Sequence, residues 1–246
     1  MNLYPVMILA GGLATRLRPI TEKIPKALVE VGGQPFIAHQ LNLLKSHGIW
    51  SVVIAAWYKG DMIREFVGDG SRFGMEVRYS FDGKIPLGTA GAVRKALPLL
   101  NVPFFLLYGD SYLPCNYADI QAQFDARGKP GLMTVYRNQG KWDASNVEMV
   151  SGQVWRYDKK NHTSSMEFID YGLGLFNPKV FASLPESQPV DLALIYQKLI
   201  ADRKLLAYEV KQRFYEIGSL DGLRELDELL SIDPHQFLRK EDHEFH

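Results

Sequence analysis

Apolar blocks and helical stripes alternate from the N-terminus to about residue 110. Residues 5–10, Pro-Val-Met-Ile-Leu-Ala, form an unbroken apolar run of the kind a fully buried strand needs. Over 35–49 the apolar positions change period. Ile37, Leu41 and Leu44 share one helical face, and Gly48 suits the C-terminal cap. A second buried strand is predicted over 50–56, then a short helix over 61–70. Residues 75–81 alternate Met75, Val77, Tyr79 and Phe81, which predicts a strand with one face buried. A helix over 89–100 and a strand over 103–110 follow. Strand and helix in this alternation predict a parallel sheet joined by crossover helices.

Beyond about residue 130 the rhythm shortens. GLMTVYR, NVEMV, QVWRY and GLGLF read as strands with little helix between them, so an antiparallel or mixed extension of the sheet is expected. Two helices follow. The first, 191–204, aligns Leu192, Ile195 and Leu199. The second, 219–231, aligns Leu220, Leu223, Leu226 and Leu230. Ser219 and Asp221 are placed to satisfy free N–H groups of its first turn. No internal repeat or low-complexity linker interrupts the chain, so one domain over 1–232 is expected. The charged tail 233–246 is expected to be loosely ordered or docked on a partner.

Composition narrows the function. The chain has 246 residues, 46% of them hydrophobic, which suffices for one sizeable core. Lys+Arg and Asp+Glu balance at 28 each, which argues against a globally basic nucleic-acid binder. The single cysteine, Cys115, excludes an internal disulfide framework and a cysteine zinc cluster, and it reads as a small packed hydrophobe. The N-terminus has no basic leader, and no stretch reaches the ~18 to 20 apolar residues of a membrane helix. A cytoplasmic protein that uses no membrane is the expectation. His39 and His162 show neither metal spacing nor a catalytic partner.

The chemistry gathers where the first strand ends. Leu9, Ala10, Gly11 and Gly12 lead into Thr15, Arg16, Arg18 and then Pro25-Lys26. Glycine lets backbone N–H groups approach phosphate oxygens, Thr15 adds a donor, and arginine can grip two phosphate oxygens at once. Neither G-x-x-x-x-G-K-[ST] nor G-x-G-x-x-G is present. An anionic ligand over this loop is implied.

LAGGLATRLRPITEKIPKALVEVGGQPFI closely resembles the signature of the sugar-1-phosphate nucleotidyltransferases, and the resemblance runs over about 5–230. It implies a Rossmann-like, GT-A-type three-layer α/β sandwich with a mainly parallel mixed central sheet. It implies nucleotidyl transfer from an NTP to a sugar 1-phosphate, with Mg²⁺ as cofactor and pyrophosphate as product. On this resemblance Arg16 and Lys26 are the catalytic cations. Leu9, Ala10, Gly11, Gly12, Thr15, Gly88, Thr89 and Ala90 hold the nucleotide. Asp158, Lys159, Asp170, Tyr171 and Gly172 hold the sugar phosphate, and Asp110 and Glu216 hold the metal. Thr89 reads equally as a helix cap, Asp170 as an exposed strand acid, and Trp57-Tyr58 as rim packing. GDGSRFGMEVRYS, 68–80, reads as structure alone.

Three positions depart from the family pattern. Ala14 stands where Gly is usual, and Lys160 where Pro usually follows the acid–Lys pair. Glu216, in FYEIGS, stands where an Asp is usual. No hexapeptide repeat follows, so no appended acetyltransferase is expected. Guanylyl or uridylyl transfer to a heptose, mannose or muramic acid type phosphate is the substrate expectation, and relatives commonly self-associate. Two alternatives stay open at this point: a non-catalytic sugar-nucleotide-binding regulator on the same fold, and a GT-A-like glycosyltransferase. The second normally shows a D-x-D pair where this chain has GDS.

Overall fold

A computed structural model describes residues 2–186 and 188–238. In chain order the first half holds β1 (Val6–Leu9), α1 (Ile20–Lys23), β2 (Glu30–Val31), β3 (Gln34–Pro35) and α2 (Phe36–Ser46). Then come β4 (Ser51–Ala56), α3 (Gly60–Val67), β5 (Glu76–Phe81), α4 (Gly88–Ala96), β6 (Phe104–Tyr108), β7 (Ser111–Tyr112) and α5 (Tyr117–Arg127). The second half adds β8 (Gly131–Arg137), β9 (Val147–Val150), β10 (Gln153–Tyr157) and β11 (Phe168–Phe176). It ends with α6 (Leu192–Ala201), β12 (Leu205–Val210), β13 (Tyr215–Glu216) and α7 (Leu220–Ile232).

One nine-stranded sheet has the order β5-β4-β1-β6-β11-β8-β12-β10-β9. Strands β5, β4, β1 and β6 are mutually parallel. β11 and β10 run against their neighbours, which makes the sheet mixed. The mainly parallel α/β sandwich is therefore present.

Its two faces explain the continuous apolar strands. Successive side chains point to opposite faces. Val6, Ile8, Val52 and Ile54 join α2, α3 and α5 in one core, through Ile37, Leu41, Ile63 and Phe124. Met7, Val53 and Ala55 join α4 and α6 in the other, through Val93, Ile195 and Leu199. A strand covered by helices on both faces has no polar side to show, which is why 5–10 and 50–56 do not alternate. β5, at the sheet's edge, alternates less cleanly than its sequence implied: Tyr79 and Phe81 are only half-buried, while Ser80 on the opposite face is buried.

The expected helices form, with Gly48 at φ +83° just past α2 and Ser219 capping α7 by accepting from the Gly222 N–H. Two details of α7 differ from expectation. Asp221 caps nothing; it is 96% exposed and faces Arg224 at 3.7 Å. Leu220 is 46% exposed, so the buried stripe is carried by Leu226 and Leu230. Those two join Val31, Phe36, Leu43, Tyr112 and Ile217 in a third, smaller core. Phe237 and Leu238 pack against this core, with Phe237 edge-on to Tyr112 at 5.6 Å. Positions 239–246 of the expected tail lie outside the described residues. Cys115 is buried and unpaired, as read from the sequence. His39 is buried, and its Nε2 lies 2.7 Å from the Val31 carbonyl, which can only accept; this fixes the imidazole as a structural donor.

Candidate functional site

The carboxyl ends of β1, β4, β5 and β6 open into a chamber of about 390 Å³. Leu9, Ala10, Gly11 and Gly12 form one wall, Trp57 and Asp82 another, and Gly88 and Thr89 a third. The walls are mostly backbone and small side chains, and each close approach has a cause. The Ala10 N–H bonds the Ala55 carbonyl at 2.7 Å, holding the glycine loop against β4. Gly88 has φ +70°, and a Cβ there would lie 2.7 Å from the Val190 carbonyl oxygen.

Beyond the glycine loop Ala14 occupies the left-handed region, φ 48° and ψ 48°. Glycine adopts that conformation freely, and an alanine there costs about 1–2 kcal/mol. The Thr21 hydroxyl bonds the Ala14 carbonyl at 2.9 Å, which helps fix the residue.

Gly109 decides where the acid sits. Its N–H bonds the Leu9 carbonyl at 3.0 Å, and a Cβ on it would lie 2.3 Å from that oxygen. Only glycine lets the end of β6 lie so close to the end of β1, and the next residue, Asp110, is thereby delivered over the glycine loop. Asp110 Oδ2 accepts from Lys26 Nζ at 2.8 Å, with both groups partly exposed. The Ile217 N–H bonds the Asp110 carbonyl at 2.9 Å, and β7 pairs with β13. This small ladder carries Glu216 to the same place from more than a hundred positions along the chain.

Glu216 and Asp110 flank Gly218, where a Cβ would lie 2.5 Å from Glu216 Oε2 and 3.2 Å from Asp110 Oδ2. The longer glutamate arm also curls onto the start of α7. Its Oε1 accepts from the Ser219 hydroxyl at 2.7 Å and its Oε2 from the Gly218 N–H. A carboxylate at a helix N-terminus is favoured by the helix dipole. Two hard oxygen donors thus face one gap, a set that suits Mg²⁺ completed by phosphate oxygens and water. No group of three or more His, Cys, Asp or Glu suited to a metal occurs among the described residues.

A second, larger chamber of about 1110 Å³ adjoins the first and shares Tyr108 and Asp110 with it. Arg16, Lys159, Asp170, Gly172 and Glu216 line it. Arg16 is exposed and carries no ion pair among the described residues. Lys159 Nζ lies 5.7 Å from the Tyr108 ring centre and 5.9 Å from that of Tyr157. Asp170 is enclosed. Burial pushes its carboxyl above the usual range, against hydrogen bonds from the Gly172 N–H at 3.1 Å and the Tyr157 hydroxyl at 3.2 Å. Gly172 sits at φ +95° beside Ser111.

Three of the expected site residues line neither chamber, and a fourth lines one while keeping its ring in the core. Thr15 is exposed and lines neither chamber. Ala90 is fully buried behind the first chamber, its N–H bonded to the Val190 carbonyl at 2.9 Å. Asp158 is exposed and turned onto its own loop, where the Lys160 and Asn161 N–H groups hold its carboxyl down at about 2. Tyr171 touches the second chamber, but its ring is buried in the core against Phe214. The Thr89 hydroxyl accepts from the Leu192 N–H at 2.7 Å, so it caps α6 rather than its own helix.

Other residues of the site carried no signal in sequence. Asp82 accepts from the Leu87 N–H at 2.8 Å and so holds the turn that presents Gly88. Tyr108 forms the wall common to both chambers, and its hydroxyl is buried with no hydrogen-bond partner among the described residues. Trp142 and Arg213 line the second chamber from segments that look like ordinary loop in sequence.

Comparison with known proteins gives one consistent result. The family described as nucleotidyl transferase matches residues 5–231. A mannose-1-phosphate guanyltransferase beta-A from Xenopus laevis is 31% identical over 219 residues, covering 86% of this chain and 60% of the relative. A mannose-1-phosphate guanylyltransferase catalytic subunit beta from Dictyostelium discoideum is 29% identical over 220 residues, with the same coverage. The chain thus spans about 60% of the length of these relatives. The solved inositol-1-phosphate CTP transferase of T. maritima superposes with a TM-score of 0.79 at 21% identity, over 94% of this chain and 96% of that one. The last likeness establishes the shared fold.

Proposed function

Because the chain belongs to the nucleotidyl transferase family, we propose that it transfers a nucleotidyl group from an NTP to a sugar 1-phosphate, with Mg²⁺ bound at Asp110 and Glu216. The observation that carries this reading is the pair of chambers joined at Asp110 and Tyr108. The smaller, with its apolar and backbone walls, suits a base and ribose. The larger, lined by charged and hydrogen-bonding side chains, suits a phosphorylated polyol.

In the reaction an oxygen of the sugar phosphate attacks the α-phosphorus of the NTP. The new P–O bond forms as the bond to the leaving pyrophosphate breaks, and the electron pair departs with that group. No proton need be removed first, because the sugar phosphate is already ionised at neutral pH. The protein's work is therefore to bring two polyanions together and hold them in line. Lys26, anchored on Asp110, supplies positive charge from the nucleotide side. Arg16 and Lys159 supply it from the sugar side. The glycine loop offers backbone N–H groups to the phosphates at little steric cost. Asp170 accepts from sugar hydroxyls through lone pairs not used by Tyr157 and Gly172. Asp110 and Glu216 would hold Mg²⁺, which when bound would neutralise charge on the phosphate oxygens. We take a guanylyl donor and a mannose- or heptose-type phosphate as the leading substrate pair, from the likeness to the guanylyltransferases. The family resemblance also supports a cytoplasmic location and self-association.

A matrix of NTPs against sugar 1-phosphates, read by pyrophosphate release with and without Mg²⁺, tests the proposal. It predicts release that needs both substrates and the metal. Absence of release in every cell overturns it. Nucleoside diphosphate release from a nucleotide-sugar plus an acceptor, with no pyrophosphate from any NTP and sugar 1-phosphate pair, favours the glycosyltransferase alternative.

A further inference from the structure

Within the described residues, Trp142 is the exposed large apolar side chain that lines the sugar-side chamber; it is 44% exposed. A half-exposed indole in a chamber lined largely by charged and polar groups offers a flat apolar plate to whatever enters it. Its position is fixed from two sides. Asn138 is fully buried; its Oδ1 accepts from the Trp142 N–H at 3.3 Å and its Nδ2 donates to the Asp143 carbonyl at 2.5 Å. The Arg213 guanidinium stacks on the indole, 3.3 Å from the ring centre, and also approaches Tyr215 at 4.9 Å. Both Nη groups of Arg213 donate to the Glu225 carboxylate, Nη2 to Oε2 at 2.6 Å. Glu225 lies on α7, and Tyr215 is the strand neighbour of Glu216. A chain of contacts therefore runs from Trp142 through Arg213 to the strand and helix on either side of the metal-binding glutamate.

We propose that Trp142 is a specificity-determining residue whose exposed ring surface stacks on the C–H face of the sugar, and that Arg213 and Glu225 are positioning residues that hold the indole in place. This rests on the functional reading above and names what the second chamber recognises beyond the phosphate. A pyranose presents one face of C–H groups while its hydroxyls project around the rim. An aromatic plate therefore selects by ring stereochemistry, and the surrounding polar groups read the hydroxyls. The Arg213 guanidinium is neutralised by Glu225. The clamp thus adds no free cation of its own for an acidic substituent.

The test uses the full chain and the sugar 1-phosphate that the wild-type protein turns over best. Trp142→Ala should raise the KM for that sugar phosphate about tenfold, as loss of one aromatic contact does, while the KM for the NTP moves less than about twofold. Trp142→Phe should recover most of the loss. Arg213→Lys should itself raise the sugar KM, because lysine can neither stack nor bridge in a bidentate manner. Titration of the sugar phosphate without NTP should quench the tryptophan fluorescence of the wild type but not of Trp142→Phe. An unchanged sugar KM in Trp142→Ala, or equal rises in both KM values, overturns the assignment. So does quenching that persists in Trp142→Phe. If the wild-type protein uses no sugar 1-phosphate at all, the functional reading itself fails, and this assignment with it.

Discussion

The two chambers are built by opposite means. The nucleotide side is made of backbone and small residues from the ends of four parallel strands, each locked by main-chain contacts such as Gly109 N–H to the Leu9 carbonyl. The sugar side is made of side chains from segments scattered between Arg16 and Glu228. Backbone walls cannot be changed without disturbing the sheet, whereas side-chain walls can be exchanged singly. On the proposed function, the backbone half would bind the nucleotide and the side-chain half would read the sugar.

The largest effect should come from the acid common to both halves. Asp110→Asn should lower turnover by at least about a thousandfold, since it removes the carboxylate charge proposed to hold Mg²⁺ and to anchor Lys26. Circular dichroism and the melting curve should stay near those of the wild type, and a wild-type rate would break the comparison at its centre.

Glycine substitutions separate the halves next. In Gly109→Ala the new Cβ meets backbone at 2.3 Å, so the strand ends must part. A loss of about 1–3 kcal/mol in denaturant unfolding is expected, along with loss of activity. In Gly172→Ala the nearest atom is the Ser111 hydroxyl at 2.9 Å, which can swing away, and the cost is mainly that of φ +95°. About 1 kcal/mol is expected, with a raised KM for the sugar phosphate alone. Equal effects on both substrates would blur the division.

Glu216→Gln should raise the Mg²⁺ concentration needed for half-maximal rate severalfold. It should cost about 1 kcal/mol of stability as the contact at the start of α7 weakens. An unchanged Mg²⁺ titration would assign Glu216 to scaffold alone.

The smallest effect concerns the core behind the site. Burial lowers the His39 and His47 imidazoles below their ordinary 6.5. The unfolded chain therefore takes up protons first, and the stability these groups contribute is present above about 6.5. It is lost as pH falls from there through their depressed folded values. His39→Gln, which can still donate to the Val31 carbonyl, should flatten part of that acid-side decline in melting temperature.

The same division governs what could be read from the sequence. Gly11, Gly12, Lys26 and Asp110 were legible because strand and loop are contiguous and each residue type has one obvious use. Ala14 stood out only as a departure from the usual Gly, and its left-handed backbone came from the structure. Helix α5 was not read, though Asn116 caps it and Ile120 and Phe124 lie on its buried face. Strand β12, between β8 and β10, was also missed. On the sugar side local reading failed more often. Asp158 looks like a ligand but spends its oxygens on its own turn, and Tyr171 looks like a contact but faces the core. Trp142 and Arg213, seventy-one positions apart, meet only because the sheet folds back between them. Partner choice at such distances is set by tertiary packing, which no local pattern records.

The central claim is tested most directly by the structure of the protein with a non-hydrolysable NTP and Mg²⁺. The account predicts the base against Leu9–Gly12 and Gly88, the metal between Asp110 and Glu216, and the α-phosphate facing the Lys159 side. A nucleotide seated in the larger chamber, or a metal held without Asp110, would contradict it.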